Sequence, residues 1–594
     1  MEAARLRTRG RRLRRGSVER PVNGRLVRIG FTIVVPALLA LLFSLSPTGA
    51  LPREPLDPLF DAESAATFAE TLSVQFPSRV PGSDGARDAA VWYRETIAAL
   101  GLPTEEDVWT EELPDLGEVE LRNVVTVVTG RSKEAIVLVA HRDNAGTERR
   151  IGENAAGTAA LIELGRGYGP ETVPQRTLVL VSTDGGAYGG AGAARFVKTS
   201  PLARDAIAAV VLDDFRGGRP RVAIAGDEPV TPARALVRTA VARVAEETGI
   251  EPAMPSLLSQ LVALGVPYAA DEQGRLLGGG LSAVTIGTGD GEEPSSTASA
   301  DQRLEQLGRA TEALVTSLDR SVGGAFRTPD SIFFAERAAS GWTLRLALVL
   351  GIVPFALGVV DLVVRARRRG LPFRPALRAQ RARFGHWAFV GAAVWVASLL
   401  GVFPRAASLP LPAYTSLVVD PPVLGMLVVA LAAAVGWLVV RERLVPVGTC
   451  RPDERLAGLI VSLALAGCIT VALAILRPYA LLFILPALYA WLWLPLESRA
   501  AARIGLYLVG WLGPVGALVV LAHELELSVP ETARYVVGLA TVGYIAPALT
   551  FLFLAWLAAA AQIGALALGC YGPYAGGVER PPPGPLRRLL RTTG

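Results

Sequence analysis

Short apolar runs alternate with amphipathic stretches over residues 52–340. The runs RNVVTVVTG, AIVLVAH, RTLVLVSTD and IAAVVLDDF are typical of strands, whereas DAAVWYRETIAALG and TAALIELGRGYG have helical spacing. Near-continuous apolar strands followed by helices predict an α/β domain with a mainly parallel central sheet and helices on both faces. In such a sheet, chemistry gathers at the carboxyl ends of the strands.

Longer apolar runs flank this domain and are long enough to cross a bilayer. The run at 29–50 follows a basic tail at 1–28 and predicts a signal-anchor span, with a cleaved signal peptide as the alternative. After the domain, apolar runs over 343–570 predict an α-helical transmembrane bundle of about seven spans. The last of these runs is long enough for either one span or a bent pair, and a second basic tail follows at 571–594.

Composition and charge agree with this division. The 594 residues are 51% hydrophobic and only 19% charged, which excludes a soluble multidomain protein. Residues 53–342 carry 42 acidic and 27 basic side chains, net −15, so the rest of a chain of net charge +5 carries +20. Arginines beside apolar spans follow the positive-inside rule, which predicts a multi-pass protein of the cell membrane with cytoplasmic termini and an extracytoplasmic domain. The lipid bilayer, and not nucleic acid, is the partner that this basic excess indicates.

The cysteine and asparagine positions add a prediction about the compartment. All three cysteines follow residue 342, so the domain has no internal disulfide. None of its asparagines is followed two positions later by Ser or Thr, so it also lacks a glycosylation acceptor. An exported domain with neither feature fits a bacterial envelope.

His141 is the only histidine of residues 52–340, and it ends the apolar run AIVLVAH. A strand that ends in His-x-Asp can present its imidazole to a metal ion, while the carboxylate two residues later, here Asp143, orients the ring. The same pattern fits a hydrogen-bonded histidine at a strand end. Further acids, Asp184, Asp213 and Asp214, end the neighbouring apolar runs.

The segments around His141 bear on the choice between a metal ligand and a hydrogen-bonded histidine. The order FPSRVPGSDGARDAAVWYRETIAALGL, AIVLVAHRD, IGENAAGTAALIELG, LVLVSTDGGAYGGAGAARFV and AVVLDDFRG resembles metallopeptidase family twenty-eight, the zinc-dependent aminopeptidases and carboxypeptidases, over about residues 65–315. The resemblance implies a zinc-exopeptidase-like fold. It also implies two zinc ions that share a bridging carboxylate, with a glutamate that deprotonates the water between them.

Carried over residue by residue, the resemblance accounts for one metal. His141 and Asp213 match the ligands that belong to that metal alone, and Asp143 matches the orienting aspartate at the catalytic centre. Glu153 stands where the bridging aspartate is expected and is one methylene longer. These residues could hold a single zinc ion, or they could be hydrogen-bonded remnants that hold no metal.

The second metal lacks its ligands. The general-base position of the family is Gly186, and the ligand position after it is Ala187. The last histidine ligand would fall at about Ser296, and no second histidine of the domain can replace it. Acids at 290–293 are interpreted as a solvated loop, and GGAYGGAG as a backbone turn. Loss of a general base costs roughly 10²- to 10⁴-fold in rate, so we expect a degenerate peptidase.

Three functions remain open from the sequence. In the first, the domain is a non-catalytic peptidase-like module that binds a peptide, a lipid-linked substrate or a membrane-protein partner. The second is an active membrane-bound zinc aminopeptidase with substitute ligands, and the third is a transporter-like bundle. The layout is similar to that of the endoplasmic-reticulum metallopeptidase and of the attachment subunit of the glycosylphosphatidylinositol transamidase, an analogy of topology that does not establish function.

Overall fold

A computed structural model provides the structure of the chain. It describes residues 23–113, 115–146, 154–168, 173–269, 271–289, 298–321, 326–402, 423–444, 452–494, 497 and 499–567. Glu153 and Ser296 lie outside the described residues, as do the acidic segment 290–293 and the basic tail 571–594.

Helices and strands alternate through the first part of the chain. In order, they are α1 (Gly24–Phe43), β1 (Ser46–Pro47), α2 (Ala62–Gln75), α3 (Asp84–Ala99), β2 (Thr104–Leu113), β3 (Gly117–Val128), β4 (Ser132–His141), α4 (Ala155–Gly167), β5 (Arg176–Thr183), α5 (Ala191–Thr199), α6 (Pro201–Asp205), β6 (Ala206–Asp213), β7 (Arg219–Ala223), α7 (Arg234–Thr248), α8 (Leu257–Gly265), α9 (Gln273–Gly278), β8 (Ala283–Gly289), α10 (Ala300–Asp319), β9 (Ile332–Phe334) and β10 (Arg337–Ala339).

The central sheet has the strand order β2-β3-β5-β4-β6-β8-β7 among the described residues. Its four central strands, β5, β4, β6 and β8, are parallel, while β2, β3 and β7 pair antiparallel. The sheet is therefore mixed, because β2 and β3 are joined by a short connection that permits only an antiparallel hairpin. With helices on both faces of this sheet and a helical bundle after it, the predicted fold class is confirmed.

The two faces of β4 pack under different helices. Ile136, Leu138 and Ala140 share a buried cluster with residues of α4, α7 and α10. Val137 and Val139 point to the other face and pack with residues of α5 and α9. Since side chains alternate along a strand, His141 continues the second face, where α9 covers the strand end.

The second part of the chain is helical. Its elements are α11 (Gly341–Arg368), α12 (Phe373–Leu399), α13 (Val423–Leu444), α14 (Pro452–Leu476), a 3₁₀ turn (Pro478–Ala480), α15 (Leu481–Trp493), α16 (Ala500–Val509), α17 (Leu512–Glu524), α18 (Val529–Thr541) and α19 (Pro547–Ala567).

Four helices in the described part of the chain, α1, α11, α14 and α19, are long and apolar enough to cross a membrane. A fifth span results if α16 and α17, bent by 44° at their junction, count as one. One of the apolar runs counted as a span covers 386–404, and its residues 386–399 belong to α12, whose first half carries arginines. The last of these runs divides into α18 and α19. The count of about eight spans therefore stays a prediction.

The α/β domain is seated on one end of this bundle. Leu264 and Ile332 pack in one cluster with Leu344 and Leu481. Polar contacts surround the cluster: the Tyr479 hydroxyl donates to the Asp330 carboxylate at 2.6 Å, and Arg345 pairs with the same carboxylate at 2.6 Å. At another point, Arg477 pairs with Glu228 at 2.8 Å.

We expect Tyr479→Phe to loosen this junction, because the partly buried Asp330 carboxylate loses one of its two donors. A hydrogen bond to a charged group is worth about 1.5–3 kcal/mol, so local opening should raise amide exchange over residues 328–345 roughly tenfold or more. Hydrogen–deuterium exchange of the full chain measures this. Tyr489→Phe, which removes a donor to the main-chain oxygen of Gly351 inside the bundle, is the control. Equal protection of 328–345 in both variants would contradict the expectation.

Candidate functional site

Three side chains at adjacent strand ends face the same side of the sheet. His141 ends β4, Thr183 ends β5 and Asp213 ends β6. His141 and Thr183 are in register on parallel strands, whose neighbouring backbones lie about 4.8 Å apart. The structure thus brings the predicted residues His141, Asp143 and Asp213 to one edge of the sheet.

Asn154 fixes the positions of these strand ends. Its amide donates to the main-chain oxygen of His141 at 2.9 Å and accepts from the backbone N–H of Asp214 at 3.0 Å. The Thr158 hydroxyl donates to the same His141 oxygen at 2.9 Å. Asn154 adopts a positive φ of 47°, and a Cβ on Gly157 would meet its side-chain oxygen at 2.0 Å. The Asn-Ala-x-Gly helix start is therefore a clamp between β4 and β6.

Asp143 joins His141 to the glycine-rich turn. The His141 Nδ1 lies 3.4 Å from an Asp143 carboxylate oxygen and 3.2 Å from its main-chain oxygen. The Asp143 carboxylate also accepts from the backbone N–H groups of Gly186 at 2.8 Å and Ala187 at 3.0 Å. Burial acts to raise the pKa of Asp143, but the His141 hydrogen bond and charge, with the two amide bonds, lower it. One buried carboxylate thus orients the ring and holds the turn.

The imidazole of His141 favours its charged form. Burial acts to lower the pKa of His141, but the hydrogen bond and charge of Asp143, with the charges of Glu272 and Asp213, raise it to about 10. A protonated imidazole has no free nitrogen lone pair for a metal ion. Metal binding at this ring would first require the loss of a proton.

Gly186 packs directly against the His141 side chain. A Cβ at position 186 would lie 2.2 Å from the His141 Cβ and 2.3 Å from its Cγ. The turn continues with positive φ angles at Gly185, Gly189 and Gly190, so the stretch GGAYGGAG forms a backbone turn as expected. The position that the resemblance assigns to the general base has no room for any side chain in this arrangement.

Arg221 holds the Asp213 carboxylate. Its guanidinium lies 2.5 Å from Asp213 and 2.9 Å from Asp271, so one cation on β7 bridges two carboxylates. Their charges raise the pKa of Arg221 further, against the effect of burial. Neither Arg221 nor Asp271 was expected from the sequence. Arg221 reaches the strand ends because β7 pairs antiparallel with β8, with Arg221 opposite Gly287.

Asp184 holds the start of the glycine-rich turn against β3. Its carboxylate accepts from the backbone N–H groups of Gly185 at 2.9 Å and Arg122 at 3.2 Å, and the buried Arg142 guanidinium lies 3.6 Å away. Burial raises the pKa of Asp184 to about 6, against the lowering effect of Arg142. This carboxylate stabilises the backbone at the end of β5.

Glu272 is the main site residue that sequence reasoning missed. It precedes α9 and is 2% exposed. One carboxylate oxygen accepts from the Thr183 hydroxyl at 2.7 Å, and the other is buried with no hydrogen-bond partner among the described residues. Burial raises the pKa of Glu272 to about 7. The one sequence signal is its position two residues after the charge-free segment 252–270.

The described side chains do not fit the two-zinc arrangement. In the described ranges, no three His, Cys, Asp or Glu side chains form a group that could hold a metal ion. His141 faces Asp143, and the guanidinium of Arg221 already neutralises Asp213. A second cation next to that guanidinium would be repelled.

Comparison with known proteins agrees with this architecture, which is a zinc-exopeptidase-like fold. Residues 123–256 match the model of Peptidase family M28, so this part of the chain is similar to that family. No curated protein sequence matches the chain.

Several solved structures are similar in fold. A glutaminyl cyclase from Bacteroides thetaiotaomicron is 15% identical and has a TM-score of 0.36, and the match covers 44% of this chain and 98% of that chain. A Zn-dependent exopeptidase from Parabacteroides distasonis is 17% identical, with a TM-score of 0.33 and coverage of 44% and 99%. A zinc aminopeptidase from Bacillus subtilis is 10% identical, with a TM-score of 0.36 and coverage of 46% and 99%. At these identities the likeness concerns the fold alone.

We expect Gly186→Ala to destabilise the protein by about 1–3 kcal/mol, because the added methyl group must displace the His141 side chain or the turn. Thermal unfolding of the full chain measures the change. Gly49→Ala is the matched control, since a Cβ there meets nothing within 4 Å. The same melting temperature for both variants would contradict the packing of Gly186 against His141.

Removal of Arg221 should produce a pH-dependent loss of stability. Burial raises the pKa of Asp213 and Arg221 opposes this, so Arg221→Ala should raise that pKa further. A carboxyl group whose pKa is higher in the folded than in the unfolded state favours folding at low pH and loses that contribution as pH rises through the folded pKa. The stability that Arg221→Ala loses relative to the unmodified protein should therefore be largest near neutral pH and shrink on acidification.

Thermal unfolding between pH 5 and pH 8 provides the measurement. Arg87→Ala, which removes an exposed pair with Asp84, should cost little at any pH. A deficit in Arg221→Ala that is the same at every pH would show that its carboxylate partners do not control the effect.

Proposed function

We propose that the protein is a membrane-anchored, peptidase-like protein whose α/β domain binds a ligand at the old cleft and does not hydrolyse peptides by the two-metal reaction. The observation that carries the proposal is the packing of Gly186 against His141. The resemblance places the general base at this position, and here the His141 side chain occupies the space that a side chain at 186 would need. The bound ligand is a peptide, a lipid-linked molecule or a membrane-protein partner.

The hydrogen bonds of the turn support the same conclusion. The backbone N–H groups of Gly186 and Ala187 both donate to Asp143, so the turn is drawn onto the carboxylate that orients His141. A side chain at 186 could enter the cleft only if this turn moved away. The loss of a general base alone costs roughly 10²- to 10⁴-fold in rate.

Arg221 provides an internal positive charge at the other end of the cleft. Where the resemblance implies a zinc ligand, Asp213 pairs instead with a guanidinium that also bridges Asp271. A fixed cation of this kind satisfies two partly buried carboxylates without any metal ion. We infer that the cleft folds without a metal ion. It holds at most one zinc ion, at His141 and Glu153.

The membrane arrangement belongs to the same proposal. The N-terminal helix α1 packs along α11, so the anchor before the domain and the first helix after it form one pair. Exposed arginines cluster where α11 ends and α12 begins, at the end of α11 opposite the α/β domain: Arg367, Arg368, Arg369, Arg374, Arg378 and Arg381. This distribution supports a cytoplasmic location for that end and an extracytoplasmic domain.

Purified full-length protein in lipid nanodiscs should release no product from a panel of aminoacyl 4-nitroanilides in the presence of Zn²⁺. The expected rate equals that of His141→Ala, with or without a chelator. Gly186→Glu should not produce activity either, because its Cβ cannot be accommodated beside His141. Chelator-sensitive release that His141→Ala abolishes would overturn the proposal.

A second candidate is peptide hydrolysis with Glu272 as a substitute base. It is favoured by one observation: beside the strand end of His141 lies a buried carboxylate with a pKa of about 7, one oxygen of which has no hydrogen-bond partner among the described residues. If turnover occurs in the assay above, Glu272→Gln should abolish it, while Glu120→Gln on the exposed part of β3 should leave it unchanged. Turnover that survives Glu272→Gln would exclude this candidate.

A further inference from the structure

The helix α8 differs from the other helices of the α/β domain in its composition. Residues 252–270 contain no charged side chain, and α8 has the sequence LLSQLVALG. Two leucines at the start of α8 are exposed, Leu257 at 42% and Leu258 at 51%. Val266, which follows the helix, is 40% exposed, and Leu261 is partly buried. Exposed apolar surface costs about 25 cal/mol per Å² in water, and contiguous apolar patches of this kind mark an interaction surface.

The same side of α8 that carries Leu257 is fixed to the end of the helical bundle one and two turns further on. Leu261 and Leu264 pack in the cluster that contains Leu344 of α11 and Leu481 of α15. At the end of α8, a Cβ on Gly265 would lie 2.6 Å from the Phe483 ring, so the helix backbone touches the bundle. The helix therefore lies across the ends of the membrane helices.

Polar contacts hold α8 in this position from the domain side. The Gln260 side chain donates to the main-chain oxygen of Phe333 at 3.1 Å and accepts from its N–H at 2.8 Å. Beyond α8, Tyr268 packs edge-on against Tyr535 of α18, with ring centroids 5.8 Å apart. Both ends of the segment are thus anchored, and its exposed leucines have a fixed orientation.

The same end of the bundle is apolar where its helices finish. Leu41 near the end of α1 and Ala474 near the end of α14 belong to the cluster under α8. Next to them in sequence, Phe43 is 83% exposed and Ile475 is 78% exposed. Trp342, the second residue of α11, is 56% exposed and is of the residue type found at membrane interfaces. Apolar surface therefore continues from the ends of the spans onto α8.

We propose that α8 is an interfacial helix whose Leu257, Leu258 and Val266 contact the acyl chains and glycerol region of the lipid leaflet on the domain side. The proposal rests on the membrane placement given above. Continuity with the exposed span ends and the absence of charge over 252–270 select lipid as the occupant, because contact with lipid removes these apolar side chains from water without desolvating a charge.

The placement also determines how far the cleft lies from the membrane. Val266 and Glu272 are separated by six residues, which span at most about 20 Å even when fully extended. The carboxylate beside His141 therefore lies within about 20 Å of the depth at which α8 meets lipid. Of the ligand classes proposed for the cleft, a lipid-linked molecule can place its polar part there while its lipid chain stays in the bilayer.

Site-specific quenching tests the lipid contact. The three native cysteines of the full chain are replaced by serine, a cysteine is introduced by Leu258→Cys, and an NBD fluorophore is attached in phosphatidylcholine proteoliposomes. The matched control is Val74→Cys, an exposed apolar site at 70% on α2. We expect doxyl-labelled lipids to quench the label at 258 several-fold more than the label at 74, and aqueous iodide to do the reverse.

Each other outcome overturns the proposal. Iodide quenching at 258 equal to that at 74 would place α8 in water. Protection from both quenchers would identify a protein partner as the occupant. If the cysteine-free protein does not fold, a photoreactive benzoylphenylalanine at 258 in the otherwise native chain should give lipid adducts by mass spectrometry, and adducts with protein alone would contradict lipid contact. Because neither readout involves hydrolysis, this test and the 4-nitroanilide assay fail independently.

Discussion

The Asp143 carboxylate is the group on which the geometry of the cleft depends. It is buried, it faces the imidazole of His141, and it accepts two backbone N–H groups from the turn at Gly186 and Ala187. A buried charge is tolerated only when it is paired and hydrogen-bonded, so these three donors cannot be removed one at a time without cost. The position of the ring and the closeness of the turn follow from this one carboxylate, which, against the lowering effect of burial, also makes the largest contribution to the raised pKa of His141.

A second charge arrangement supports the first from the edge of the sheet. Arg221 neutralises Asp213 and Asp271, while Arg142 and backbone amides stabilise Asp184. Among the described residues, the acids Asp143, Asp184, Asp213 and Asp271 thus each have a partner inside the chain, whereas one oxygen of Glu272 has none. Such an arrangement favours a ligand that brings hydrogen-bond donors to Glu272 over a ligand that must displace an existing ion pair.

The sequence predicted the parts of this site that are local in the chain. Buried strands that end in His141, Thr183 and Asp213 can be found from apolar runs alone, because parallel strands share one carboxyl edge. Arg221 and Glu272 could not be found in this way. Arg221 reaches the site through an antiparallel edge strand, and Glu272 through a helix that folds over the sheet, so neither contact leaves a periodic signal. The helix α12 shows the same limit: its arginine-rich first half predicts a connector, yet it is helical and continuous with the apolar half. Glu153 and Ser296 remain predictions.

The contact between Gly186 and His141 also limits which substitutions the chain can accept at this turn. A glutamate at position 186 would need space that the His141 side chain occupies, so an acidic residue cannot be introduced there by a single substitution without displacing its neighbours. The turn, the ring and the carboxylate that links them would have to move together, so this position is coupled to two others that lie far from it in the sequence.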